Sequence, residues 1–273
     1  MLLFHIIILS LVQGITEFLP ISSSGHLSLL HSIFDGESAA DQYATNHLFD
    51  IAVHVGTLFA VLLYFRRDVF EMLMGLICIA NPQKQAAGVR ALQVGVASIP
   101  VIIAGFILHA WSPNFLTLLS VVAWANIVYA LLLWVADRTP VAQVNGQDKS
   151  VDEMPWRDAM IIGVSQALAL VPGTSRSGVT MTAALFLGYP RTDAARFSMF
   201  LGMVAISGAG LLGALDVDWQ NSQLGADIAL AVIFSFLAAL TAIALLMRWI
   251  EKSSFTPFVI YRLIFGVVLL LAL

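Results

Sequence analysis

The chain has 273 residues, 59% of them apolar and 11% charged, and a net charge of −4. Soluble domains carry about 25% charged residues, so this composition excludes a soluble enzyme and a disordered chain. The negative balance excludes a nucleic-acid binder, and what remains is an all-α polytopic membrane protein.

A helix needs about 17–25 apolar residues to cross a bilayer. Six stretches qualify: 47–65, 91–109, 116–136, 197–214, 228–247 and 257–273. Two other apolar segments, 2–12 and 159–171, are too short to span. The first lacks a basic n-region and an A-x-A-like site, so it reads as mature sequence rather than a signal peptide. Each runs into a Pro/Gly/Ser-rich turn and a second short arm, 27–34 and 179–189. Short arm, turn, short arm is the pattern of a re-entrant hairpin, tolerated at membrane depth where it is buried in protein or lines a wet cavity.

Loop charges give the orientation. Loops 66–90, 137–157, 190–196 and 248–256 hold Arg66, Arg67, Lys84, Arg90, Arg138, Lys149, Arg157, Arg191, Arg196, Arg248 and Lys252. Connections 35–46, 110–115 and 215–227 hold no Lys or Arg; the first and last hold Asp35, Glu37, Asp41, Asp216, Asp218 and Asp227 instead. The basic side is read as cytoplasmic. Three spans separate the hairpins, so the two halves point in opposite directions and both termini lie outside. The chain reads as one membrane domain: repeat one 1–136, a polar cytoplasmic loop 137–157, and repeat two 158–273. Ser24-Gly25 and Ser177-Gly178 follow Pro20 and Pro172 at nearly matched distances, which supports an inverted repeat with its site where the broken segments meet. Cys78 is the only cysteine, so there is no intrachain disulfide and no cysteine zinc cluster.

The chemistry concentrates in the two turns. Gln13 and Glu17, four apart, share a helix face. A carboxylate in an apolar arm marks a functional site or a structural hydrogen-bonded pair. Ser22, Ser23, Ser24, Gly25 and His26 follow the proline break. A serine near a histidine is an activatable nucleophile, and open backbone N–H groups form an anion-binding concavity. The second turn, Pro172-Gly173-Thr174-Ser175-Arg176-Ser177-Gly178-Val179-Thr180, supplies a guanidinium among hydroxyls, which suits phosphate. The alternative is an Arg176–Glu17 clamp. Facing each other, the turns would hold an anionic headgroup, with apolar helices around its tail. His47, Asp50 and His54 share a helix face as a metal cluster, a proton relay or a cavity lining. Arg262, six residues into the last span, either snorkels to the cytoplasmic side or touches substrate.

QGITEFLPISSSGH, PGTSRSGVT and the ending FVIYRLIFG resemble the undecaprenyl-diphosphate phosphatases, also called bacitracin-resistance proteins, over essentially the whole chain. The resemblance implies a multi-pass phosphatase of the bacterial inner membrane. Such an enzyme converts a C55 polyprenyl diphosphate to the monophosphate, recycling a carrier for peptidoglycan and conferring bacitracin resistance. It implies that Glu17, Ser23, His26 and Arg176 are catalytic and that a divalent cation, Mg²⁺ or Ca²⁺, takes part, with Glu17 as its ligand. Gln13, Ser22, Ser24, Gly173, Thr174, Ser175, Ser177 and Thr180 are the expected substrate-binding residues. Many relatives have Glu where this chain has Gln13, and a neutral amide is the weaker metal ligand. The sequence leaves three mechanisms open: Ser23 as nucleophile with His26 as base or acid, His26 as nucleophile, or activated water. It also leaves open a transporter or flippase of a polyprenyl phosphate carrier. The expected partners are the polyprenyl diphosphate and membrane lipids, with no nucleic acid and with homodimerisation open.

Overall fold

A computed structural model describes residues 3–34, 39–111, 118–214 and 222–272. It is all-helical apart from one two-stranded ribbon among the described residues. The first broken hairpin is α1 (Leu3–Thr16) and α2 (Ser23–Phe34). Then come α3 (Ala39–Tyr64), α4 (Arg66–Ile77), α5 (Pro82–Trp111) and α6 (Leu119–Ala136). The second hairpin is α7 (Trp156–Gln166), a 3₁₀ turn at Ala167–Leu170, and α8 (Arg176–Phe186). Helices α9 (Arg191–Ala214), α10 (Ser222–Ile250) and α11 (Thr256–Leu271) complete the chain.

Three helices, α5, α6 and α10, are long and apolar enough to cross a membrane, and α3 with α4 makes a bent fourth. The other two expected spans fall on α9, with 24 residues, and on α11, apolar but with 16. Large side chains such as Phe106, Ile107, Trp124, Leu237, Leu245 and Ile264 point outward. A lipid-solvated surface has this inside-out character, since hydrocarbon does not oppose exposed apolar area.

The segment 66–90, expected as a loop, is a correction. It is mostly helix: α3 bends by 82° at Phe65 into α4, and α5 already begins at Pro82. Helix α4 folds against α5 where Gly75 meets the backbone of Gly88, an approach that no Cβ permits. The polar segment 137–157 is also ordered. Asn145 and Gly146 both have positive φ and turn a ribbon that pairs Gln143–Val144 with Gln147–Asp148.

The basic segments converge on one end of the molecule. Arg196 pairs with Asp68 and Asp152, and Arg90 also pairs with Asp152. Arg191 Nε lies 2.5 Å from Asp137, whose second oxygen accepts the Phe255 N–H at 3.0 Å. Lys149 Nζ lies 2.5 Å from Asp158. All four basic stretches are thereby tied to a single face.

Small residues let the helices approach. Helix α10 lies between α1 and α3, with Gly14 and Gly56 both against Ser235. A Cβ on Gly14 would come within 2.6 Å of the Ser235 carbonyl, and one on Gly56 would overlap the Ser235 hydroxyl. Van der Waals contact between such surfaces replaces the hydrophobic drive that lipid removes. Gly56→Leu is therefore expected to destabilise the fold by about 1–3 kcal/mol. A thermal midpoint in detergent equal to that of the parent would show that α3 and α10 are not packed this closely.

Candidate active site

The two hairpin tips are built alike. In the first, α1 continues to Glu17, whose N–H donates to the Gln13 carbonyl at 2.9 Å, and Phe18–Ile21 makes the turn. Ser22 then takes φ 72°, and its hydroxyl accepts the Gly25 N–H at 3.4 Å, starting α2. In the second, Gly173 has φ 90° and Ser175 has φ 72°, and the Ser175 hydroxyl accepts the Gly178 N–H at 3.1 Å, starting α8. A serine cap is an ordinary helix start. A serine in the left-handed region costs about 1–3 kcal/mol, and such strain gathers at functional sites. Gly173 has no alternative, because a Cβ there would press into the backbone of Val122 on α6.

Superposing Ser22 on Ser175 sets the register of the repeat. Gln13 and Gln166 each stand nine residues before their serine. Ser24-Gly25 matches Ser177-Gly178, as read from the sequence, while Pro20 matches Gly173 rather than Pro172. Ser23 then falls opposite Arg176, and Glu17 opposite Leu170. The halves share a backbone and differ in chemistry.

Glu17 is where the tips meet. It is 7% exposed. Arg176 Nη2 donates to its Oε1 at 2.7 Å. Gln13 Nε2 and the Ser23 hydroxyl donate to its Oε2 at 2.8 and 2.7 Å. His54 Nε2 lies 3.6 Å from the same oxygen, and its Nδ1 lies 2.5 Å from the Asp50 carbonyl. The Ser177 hydroxyl donates across the gap to the Leu19 carbonyl at 2.9 Å. Beside these groups is a cavity of about 230 Å³ lined by Glu17, Ser23, Ser24, His54, Ser175 and Arg176, with Ala205 and Ile206 as its apolar wall.

The structure thus brings together Gln13, Glu17, Ser23, Ser24, Ser175 and Arg176. The other expected residues stand around the cavity. Ser22 caps α2, and Ser177 ties the tips together. Thr180 Oγ1 lies 2.7 Å from Ser198 Oγ on α9. Gly173 and Thr174 turn their carbonyls to Arg262, at 3.0 and 2.8 Å. His26 lies apart from the cavity lining. Its Nδ1 is 2.7 Å from the Ser22 carbonyl, its Nε2 is 2.6 Å from the Tyr261 hydroxyl, and its ring stacks on Phe265 at 4.4 Å. The imidazole at the carboxylate is that of His54. Asp50 pairs with His31 at 3.0 Å, and the side chain of His47 falls outside the described residues. Arg262 does not snorkel: it is fully buried, with its guanidinium on backbone carbonyls of both tips. Sequence reasoning passed over Ser198 and the role of Gly202, whose missing Cβ leaves room for the Arg176 guanidinium.

Chemically, the set pairs a hydroxyl with a carboxylate base and aims a guanidinium at the same cavity. That is a nucleophile–base contact beside an anion-binding group. The donor set does not fit a divalent cation held by protein ligands. Glu17 is the lone carboxylate in the cavity lining, and both its oxygens already take donors. Gln13 offers it an N–H rather than an oxygen, and no group of three His, Cys, Asp or Glu side chains converges among the described residues.

An all-helical membrane protein that buries a carboxylate–guanidinium pair and a serine between two broken hairpins has the donor chemistry of a membrane-embedded anion site. The chain belongs to the bacitracin resistance protein BacA family, whose model matches residues 6–268. It is 46% identical to the undecaprenyl-diphosphatase of Ruegeria pomeroyi, over 99% of this chain and 98% of that protein. It is 45% identical to the undecaprenyl-diphosphatase of Jannaschia sp., with the same coverage. The undecaprenyl-diphosphatase of Alteromonas mediterranea is 42% identical, also over 99% of this chain and 98% of its own length.

Removing one partner of a buried ion pair strands the other. Arg176→Ala, which leaves the Glu17 carboxylate without its cation, is expected to cost about 3–5 kcal/mol of stability. Adding Glu17→Gln to that variant is expected to recover much of the loss. Additive losses in detergent unfolding of the two single variants and the double would deny the pairing.

Proposed function

We propose that this chain is an undecaprenyl-diphosphate phosphatase. It hydrolyses the C55 diphosphate to the monophosphate and inorganic phosphate in the bacterial inner membrane, returning the carrier to peptidoglycan synthesis. One observation carries the reading. The Ser23 hydroxyl donates to Glu17 at 2.7 Å while Arg176 holds the other carboxylate oxygen, all in one cavity of a chain 46% identical to an undecaprenyl-diphosphatase.

The reaction follows from that contact. The terminal phosphate enters beside Arg176, whose planar fork binds its oxygens and stabilises charge as the phosphoryl group transfers. Ser23 Oγ attacks the terminal phosphorus and its proton passes to Glu17. The bond to the bridging oxygen breaks and undecaprenyl phosphate leaves. Glu17 passes that proton to the leaving phosphate oxygen; water then attacks phospho-Ser23, Glu17 takes one water proton and delivers it to Ser23 Oγ as the phosphorus–oxygen bond breaks, and phosphate departs with the serine hydroxyl restored. The β-phosphate lies near the N-terminus of α8, where first-turn N–H groups favour an anion. Ser24 and Ser175 line its cavity; Ser22, Gly173, Thr174, Ser177 and Thr180 shape the tips. His26 acts through the tip it braces, since both its ring nitrogens are engaged. The division at 1–136 and 158–273 into inverted halves rests on the matched serine caps, and the cytoplasmic side on the shared basic face. No observation favours a transporter.

Purified protein in detergent is expected to release phosphate from a polyprenyl diphosphate. Ser23→Ala and Arg176→Lys are expected to slow turnover at least about 100-fold while staying folded. Trapping by a rapid denaturing quench at neutral pH, which preserves phosphoserine and phosphohistidine alike, is expected to place the phosphoryl group on Ser23. Phosphohistidine, or full turnover in both variants, would refute this assignment.

Gly202 supplies a second, indirect test. Gly202→Ala pushes the Arg176 guanidinium off its seat without replacing any residue of the cavity lining. It is expected to lower kcat/KM by about tenfold, about 1.4 kcal/mol, with the fold kept. An unchanged kcat/KM would mean that the seat of Arg176 does not matter to turnover.

A further inference from the structure

Arg262 is a buried cation that the mechanism above does not use. It is fully buried, comes from the last helix, and stands outside the cavity lining. Its Nη1 donates to the Pro20 carbonyl of tip one at 3.4 Å. Its Nη2 donates to the Gly173 and Thr174 carbonyls of tip two at 3.0 and 2.8 Å. The site is built around it, because a Cβ on Gly178 would lie 2.9 Å from its Nη1. A guanidinium spent on backbone carbonyls is costly at membrane depth and needs a reason.

The reason lies in peptide geometry. In a trans peptide the carbonyl and the following N–H point in opposite directions. Every peptide in this protein is trans among the described residues. Arg262 holds the Thr174 carbonyl, so the Ser175 N–H points away from Arg262. Ser175 lines the cavity that Arg262 does not reach. The Ser175 N–H takes no acceptor among the described residues, whereas the Thr174 N–H is already spent on the Val171 carbonyl at 3.2 Å. The Gly178 N–H is likewise spent, on the Ser175 hydroxyl. The left-handed φ of Ser175 keeps this plane from relaxing into the helix that follows.

We infer that Arg262 is a positioning residue: it pins the Thr174–Ser175 peptide plane so that the Ser175 N–H faces the transferring phosphoryl group. The inference rests on the phosphatase reading. It assigns the cation on α11 to orienting a donor, not to touching substrate. A donor aimed at charge that grows in the transition state raises kcat more than it tightens ground-state binding.

The test is Arg262→Lys in the full-length protein. A lysine keeps the charge but places one compact ammonium where a fork spans carbonyls of two tips. Turnover is expected to fall at least about 30-fold in kcat with KM within about threefold, against the roughly 100-fold cost of losing one such donor outright. Inhibition by orthovanadate is expected to weaken about tenfold or more, while inhibition by inorganic phosphate stays within about threefold. A purely structural arginine would alter the thermal midpoint and leave that ratio of inhibitors alone. A folded variant with parental kcat, or with both inhibitors weakened equally, overturns the inference. Should the variant not fold, wild-type protein labelled with [¹⁵N]serine gives the second measurement. The Ser175 amide proton is expected to move downfield on adding orthovanadate, and an unmoved resonance overturns the inference. Absence of phosphate release from wild type would instead sink the phosphatase reading, before any variant is compared.

Discussion

The contact on which the structure turns is the ion pair between Glu17 and Arg176. Each residue sits where a hydrocarbon environment forbids a lone charge, and each is made tolerable by the other. Their sequence separation of 159 residues means that neither hairpin can finish folding alone. Two broken helices, each with unpaired backbone at its tip, must meet before their polar groups are satisfied. The Ser177 hydroxyl on the Leu19 carbonyl and the Arg262 guanidinium on both tips reinforce the same junction. Assembly of the halves and assembly of the cavity at their junction are therefore one event.

The matched tips explain how a duplicated backbone yields an asymmetric site. Ser22 and Ser175 share φ 72° and the same capping of a glycine three residues on. The next residue in each tip points toward the junction. In one half it is Ser23, in the other Arg176, so equivalent positions deliver a hydroxyl and a cation to the same carboxylate. A pseudo-twofold arrangement with identical residues would bring like to like, two serines or two arginines. Divergence at one register position turns that self-contact into a complementary pair.

The charges were the most legible part of the sequence. In a chain with few of them, each has a position that must be justified, and a simple count sorted loops from spans and singled out Glu17 and Arg176. The length rule also found both short hairpins. What it missed follows from its one-dimensional view. The segment 66–90 is polar enough to read as a loop, yet a sharp bend at Phe65 and close contact at Gly75 and Gly88 make it helix lying against α5. The proximity of Ser23 and His26 along the chain suggested a dyad. Residues three apart on a helix lie only about 60° apart, yet the His26 ring is held by the Ser22 carbonyl and the Tyr261 hydroxyl while Ser23 reaches Glu17. The imidazole that reaches Glu17 comes from α3, and no local spacing encodes that.

Gln13 bears on the charge balance of the site. As an amide it donates an N–H to Glu17, so the resting site holds one negative and one positive charge. A carboxylate there would put two anions around a single guanidinium, and one would need a proton or a cation to stay. The amide removes that need and spends one lone pair of Glu17 on a neutral donor. A diphosphate bound at Arg176, as proposed above, would compete there with only one carboxylate. Once the phosphate takes the guanidinium, Glu17 is left with the Ser23 proton, the Gln13 amide and His54 nearby.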